Sequence, residues 1–190
     1  MEGLPQLVLS LVLGVSLAAA CGLRVFMPLL VTGLLAHFGL GGVVLREGLG
    51  WMGSTPALIA FGLATALEVA AYKVPLLDHL LDTLAVPLAT VAGTLVAASA
   101  FVELPPLVAW SVALVAGGGL AGALSAGTAA TRVASTTTTA GLGNPLFALV
   151  ETVGSVLLSL LAWLVPLMAL VMAISLVLLM RRWLRSLRRG

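Results

Sequence analysis

The chain consists of long apolar runs separated by short polar breaks, and two of the runs are too long for a single membrane span. Leu4 to Phe38 is 35 residues, about 52 Å of helix at about 1.5 Å per residue, against a hydrocarbon layer about 30 Å thick. It must break, and Gly22, Arg24 and Pro28 mark the place. Either two short spans meet at Gly22 to Pro28, or one full span is followed by a shorter or re-entrant helix from Pro28. Leu146 to Met180 is again 35 residues; Trp163 and Pro166 predict a turn dividing it into two rather short helices, with one kinked helix as the alternative.

Between these runs the pattern predicts a third helix from Pro56 to Tyr72, with Pro56 in its first turn. Pro75 predicts a turn or kink at Lys73 to Pro75. A short helix over Leu76 to Ala85 follows, then a span over Leu84 to Val102 that contains Pro87, closed by a tight polar turn at Glu103, Pro105 and Pro106. Trp110 opens a further span to about Ala130. GLGGVVLREGLGWMGST, residues 39–55, with adjacent Arg46 and Glu47 and an interfacial Trp51, reads as an exposed loop, and His37 before it as an interfacial side chain. The expected fold is all-α: a polytopic helical membrane protein of five to seven crossings with broken or re-entrant helices. No polar linker divides it, so residues 1–190 are expected to form a single integral membrane domain.

Composition agrees with the pattern. The chain is 61% hydrophobic and 8% charged, with a mean hydropathy of +1.22, whereas a soluble domain carries roughly 25% charged residues. The single cysteine, Cys21, excludes an intrachain disulfide and a thiolate metal cage, and no cofactor is expected. The start MEGLPQLVLS is acidic and lacks a small-residue cleavage site, so the first run is expected to be retained as a span. The net charge of +2 comes largely from Arg181, Arg182, Arg185, Arg188 and Arg189. Five arginines after an apolar run predict a cytoplasmic C-terminus beside anionic lipid rather than a nucleic-acid surface.

Charges inside such runs are expensive unless paired, hydrated or used, so they are the candidate site. Arg24 either snorkels to an interface or, at depth, pairs with an acid or receives an anion. Glu68 and Lys73 lie about 140° apart on an ideal helix, so each is expected to find a partner elsewhere. Asp78 and Asp82 share one face, Asp78 in the first turn after Pro75 where amides and the helix dipole favour an anion. They are weak metal candidates, since two carboxylates leave most of a coordination shell unsupplied. Arg132 precedes VASTTTTAGLGNP, in which Ser135, Thr136, Thr137 and Asn144 offer polar ligands on loosened backbone, and Glu151 follows. Unwound backbone at depth is tolerated only inside protein or along a watered cavity. The expectation is a site in which the segment Glu68 to Asp82 meets the break between Arg132 and Glu151.

Small residues form two rows at spacing four, Ala113, Gly117, Ala121, Ser125 and Ala129 beside Gly118, Gly122, Ala126 and Ala130. Such rows predict close helix packing, or a homo-oligomer contact over Ala113 to Ala130. Gly22-Leu23 with Pro28-Leu29 echoes Gly141-Leu142 with Pro145-Leu146, a weak internal repeat of the kind that builds central transport sites. GLRVFMPLLVTGLLAHFG at 22–39, EVAAYKVPLLDHLLD at 68–82 with Pro87, and ASTTTTAGLGNPLFALVE at 134–151 resemble the DUF4126 family of small bacterial integral membrane proteins. That resemblance implies a helical fold in a bacterial inner membrane and a shared polar centre; it transfers no substrate.

Three functions fit. The leading one is a small transporter or channel for an ion or polar solute, with a path formed by Arg24, Glu68, Lys73, Asp78, Asp82, Arg132, Ser135, Thr136, Thr137, Asn144 and Glu151. A membrane enzyme acting on a lipid or lipid-linked phosphate would use Arg24, Lys73 and Arg132 on the phosphate and Asp78 or Asp82 as base or metal ligand. No HExxH, P-loop or serine elbow supports it, and an enzyme is the less favoured class. A structural or assembly protein would pair all of its charges internally.

Overall fold

The computed structural model describes residues 3–71, 75–139 and 142–187, and the regular structure among them is helical. Helix α1, Gly3–Leu23, is the first apolar run. It stops at Arg24, whose N–H still reaches Ala20 O (3.1 Å). After the bend at Val25 and Phe26, α2, Met27–His37, starts with Pro28 in its first turn, where a missing N–H costs nothing. Its 11 residues span about 16 Å, half of a hydrocarbon layer. Of the two arrangements open in the sequence, the full span followed by a short helix is the one formed. Helix α2 ends at Phe38, and Gly39, at φ 63°, supplies the left-handed residue that closes such an end.

The bend reverses the chain. Helix α7, Asn144–Leu164, meets α1 through Ser155 Oγ donating to Ala20 O (3.0 Å) and through Arg24 at Ala148 and Thr152. It meets α2 further along, where Trp163 Nε1 donates to Thr32 Oγ1 (3.1 Å). Helix α1 therefore runs against α7 and α2 runs back with it. The N-terminus of α2 is left among the other helices.

The stretch after α2 is mostly exposed, as expected, but it is anchored at three points. It contains two 3₁₀ turns, Leu40–Gly42 and Gly50–Gly53, and buries Leu49, Met52 and Arg46. Arg46 N donates to Ser99 O (2.9 Å), and its Nη1 donates to Phe101 O and Leu104 O (2.8 Å). A helix end buried in an apolar bundle has carbonyls without partners. Arg46 supplies those partners to α4, Pro75–Ala100, with a charge that suits the helix's negative end.

Helix α3, Thr55–Ala71, descends beside α2. Helix α4 runs unbroken through Pro87 for 26 residues, correcting the expectation of a short helix followed by a separate span. In an apolar surround a helix is what satisfies the backbone, so losing one hydrogen bond at Pro87 costs less than opening the chain. Helix α5, Pro106–Val112, continues through a π-helical stretch, Ala113–Gly118, into α6, Gly119–Thr139. Here the small rows are used within the chain. A Cβ on Gly93 of α4 would stand 2.5 Å from Ala121 Cβ, and one on Gly117 2.7 Å from Ala97 Cβ, so α4 and the π-to-α6 segment are in backbone contact. Helix α8, Pro166–Leu187, follows a break at Val165, giving the two helices expected of the last run, at 21 and 22 residues.

Among the described residues, three helices are long and apolar enough to cross a membrane: Leu4–Leu23, Pro106–Thr139 and Asn144–Leu164. Their neighbours present large apolar side chains outward, such as Leu63, Leu67, Val91 and Leu178, an arrangement that suits lipid contact. Helix α1 lies inside this shell, with Leu17 through Cys21 fully buried against α4, α6, α7 and α8.

Candidate functional site

Four buried charges converge from four elements. Arg24 ends α1, Glu68 lies one turn before the end of α3, Arg132 is on α6 and Glu151 on α7; their exposures are 1%, 5%, 3% and 6%. Gly22 makes the convergence sterically feasible. A Cβ there would lie 2.5 Å from Leu124 Cβ and 2.8 Å from Ala121 O, so α1 rests directly on α6 beside Arg24.

Glu151 holds the cationic side together. Arg132 donates Nε to Oε1 (3.3 Å) and Nη2 to Oε2, a forked pairing that a lysine could not make. Arg24 Nη2 stands 3.7 Å from the same Oε2. Arg24 also donates Nη2 to Ala148 O (2.8 Å) and Nε to Thr152 Oγ1 (3.0 Å), fixing the guanidinium against one turn of α7. Arg24 is thus buried inside the bundle and faces an acid.

Glu68 meets backbone instead of a guanidinium. Its Oε1 accepts from Val25 N (2.9 Å) and its Oε2 from Phe26 N (3.2 Å). The start of α2 carries amide donors without helix partners and the positive end of the helix dipole, and Glu68 satisfies both from 43 residues away. Beside it is a cavity of about 10 Å³ lined by Cys21, Val25, Glu68, Ser125, Thr128 and Arg132, among others. That is room for roughly one water. Among the described residues, these two arginines and two glutamates balance one another, which lowers the cost of their burial.

Of the residues expected along the path, Glu68, Arg132, Glu151 and Arg24 are gathered here. The rest of the expected path is distributed differently. Lys73 lies outside the described residues, and so do the side chains of Asp78 and Asp82, whose backbone opens α4. Helix α6 continues to Thr139, so Ser135 to Thr139 are not on unwound chain as expected. Thr136 Oγ1 donates to Arg132 O (2.9 Å), Thr137 Oγ1 to Ala134 O (2.9 Å) and Thr139 Oγ1 to Ser135 O (2.8 Å). Hydroxyls that bond back into the preceding turn remain compatible with helix, which is why the run does not loosen it. Ser135 is buried, and Asn144 Nδ2 ties α7 to Thr136 Oγ1 (3.0 Å). Among the described residues no group of three or more His, Cys, Asp or Glu side chains could hold a metal.

Thr152, Ser125 and Thr128 were not anticipated. Their signal was weak, a hydroxyl next to Glu151 and two on the small-residue helix. A family model described as a domain of unknown function, DUF4126, matches residues 11–186. The chain belongs to the DUF4126 family. That match takes in all four charges of this DUF4126 protein and the bend before α2. No curated protein and no solved structure matches it.

Proposed function

We propose that this DUF4126 protein is a small membrane transporter or channel for an ion or small polar solute, with Arg24, Glu68, Arg132 and Glu151 as its central site. The observation that carries this reading is the buried N-terminus of the half-length helix α2, capped by Glu68 beside a polar cavity. Discontinuous helices with termini aimed at a central polar site are a recurrent solution to binding within a bilayer. Ser135, Thr136, Thr137 and Asn144 would line the approach from the α6–α7 end, and Lys73, Asp78 and Asp82 complete the proposed path. The reading includes five to seven crossings of a bacterial inner membrane by a single domain, with the arginine-rich C-terminus cytoplasmic, and α1–α2 and α6–α7 as the two copies of a weak repeat. A homo-oligomer through the small-residue rows would rest on Ala126 and Ala130, which are exposed.

The test is flux in vesicles reconstituted with the purified chain and loaded with reporters for protons, potassium, sodium and chloride. Glu151→Gln is expected to abolish the flux that the wild type supports. Unchanged flux from correctly inserted variant would remove Glu151 from the path. A structural role is the second reading, and the mutual pairing of the buried charges favours it. It requires no flux of any reporter ion above that of empty vesicles.

A further inference from the structure

The two buried carboxylates are held in different ways. Glu151 accepts from the Arg132 guanidinium at both oxygens and lies beside Arg24, so neutralising it would leave two buried cations without their shared acid. Glu68 is bound by two neutral amides, Val25 N and Phe26 N, and borders the one-water cavity. Among the described residues, the groups facing Glu68 are the Arg24 guanidinium and Cys21 thiol from the α1 end and Arg132 from α6, and α4 contributes Ala85 at the cavity.

We propose that Glu68 is the proton-binding group of this site and that its charge state sets whether the bend between α1 and α2 is closed. The inference rests on the transport reading and names the proton as the ion carried. As a carboxylate, Glu68 holds both amides. A hydronium ion reaching the cavity gives its proton to one oxygen; the donor's O–H bond breaks, a carboxyl O–H bond forms and neutral water is left. Oε2 is the candidate, because its contact to Phe26 N is the longer of the two. Val25 N–H keeps its acceptor at the remaining carbonyl oxygen, and Phe26 N–H loses its charged one. The charge of the cluster rises by one, and the attraction of the carboxylate for the N-terminus of α2 disappears. Loss of the proton back to water restores the closed bend.

Cys21, the sole cysteine, is fully buried, lines the same cavity and thus reports on it in the wild-type chain. In reconstituted vesicles, labelling of Cys21 by a membrane-permeant thiosulfonate, normalised to a free thiol at each pH, is expected to rise on acidification. The rise should be about tenfold or more, the factor implied by losing one hydrogen bond to a charged acceptor. Glu68→Gln, neutral at every pH, should label fast throughout, while Glu68→Asp should keep the pH dependence. Infrared difference spectra between neutral and acid pH should show a protonated-carboxyl band that Glu68→Gln lacks. Wild-type Cys21 reactivity independent of pH, or a carboxyl band that persists in Glu68→Gln, would overturn the proposal even if ion flux is present. Titration of Glu68 with no flux of any ion would overturn the transport reading and leave proton binding standing.

Discussion

The Arg132–Glu151 pair gives the sharpest stability prediction. Truncating one member of a buried pair leaves an uncompensated charge, which typically costs 3–5 kcal/mol, whereas replacing both members by apolar groups is often nearly neutral. Here Glu151 is shared with Arg24, so Glu151→Leu removes the acid that two guanidiniums share and belongs at the upper end of that range. Arg132→Met leaves Glu151 with the 3.7 Å contact to Arg24 and belongs at the lower end. The double variant removes both members of the pair and should cost less than the sum of the singles by at least about 2 kcal/mol, within the coupling seen for contacting residues. Equilibrium unfolding of the purified chain in mixed micelles, followed by circular dichroism, reads these values as a double-mutant cycle. A loss of about 3 kcal/mol in Arg132→Met is a change of roughly 150-fold in the unfolding constant, at 1.4 kcal/mol per tenfold. Single variants that unfold with the wild-type midpoint, or a strictly additive double variant, would refute the claim that this pair works as one buried unit.

Two further predictions concern the frame. Gly117→Val places methyl groups where Ala97 Cβ and Gly93 O already stand, and should cost about 1–3 kcal/mol by overpacking in the same unfolding assay; wild-type stability would show that α4 and α6 can separate freely. Arg46→Ala removes the donors to Phe101 O and Leu104 O and should cost about 1.5–3 kcal/mol. Amide exchange should then quicken around residues 99–104 in preference to α1, and uniform exchange would count against a local cap.

Much of the helical layout was legible because a bilayer permits so few backbone solutions. Runs of 35 residues had to break, and Pro28 and Pro166 placed both breaks, since proline fixes a helix start while forbidding the continuation before it. Pro87 misled the same reasoning: α4 passes through it, because tertiary surroundings decide whether one lost hydrogen bond ends a helix. Arg46 was read as exposed beside six glycines. Its partners are carbonyls about fifty residues away, and carbonyls carry no side-chain signal.

The same limit explains what the sequence reveals of the site. Hydropathy alone exposes Arg24, Glu68, Arg132 and Glu151 as costly residues, because each interrupts an apolar run. Charge counting then allows Glu68 to pair with either arginine with equal sense. The structure gives it a different kind of partner, the amides of Val25 and Phe26, which exist as donors only because the chain turns there and starts a helix. Arg132 and Glu151 are matched by the turn that brings α6 against α7, and Gly22 admits Arg24 to the same point by letting α1 lie on α6. The cluster is consequently a property of the two chain reversals as much as of its four side chains. A substitution that straightened either reversal would separate its members while leaving every charge in the sequence.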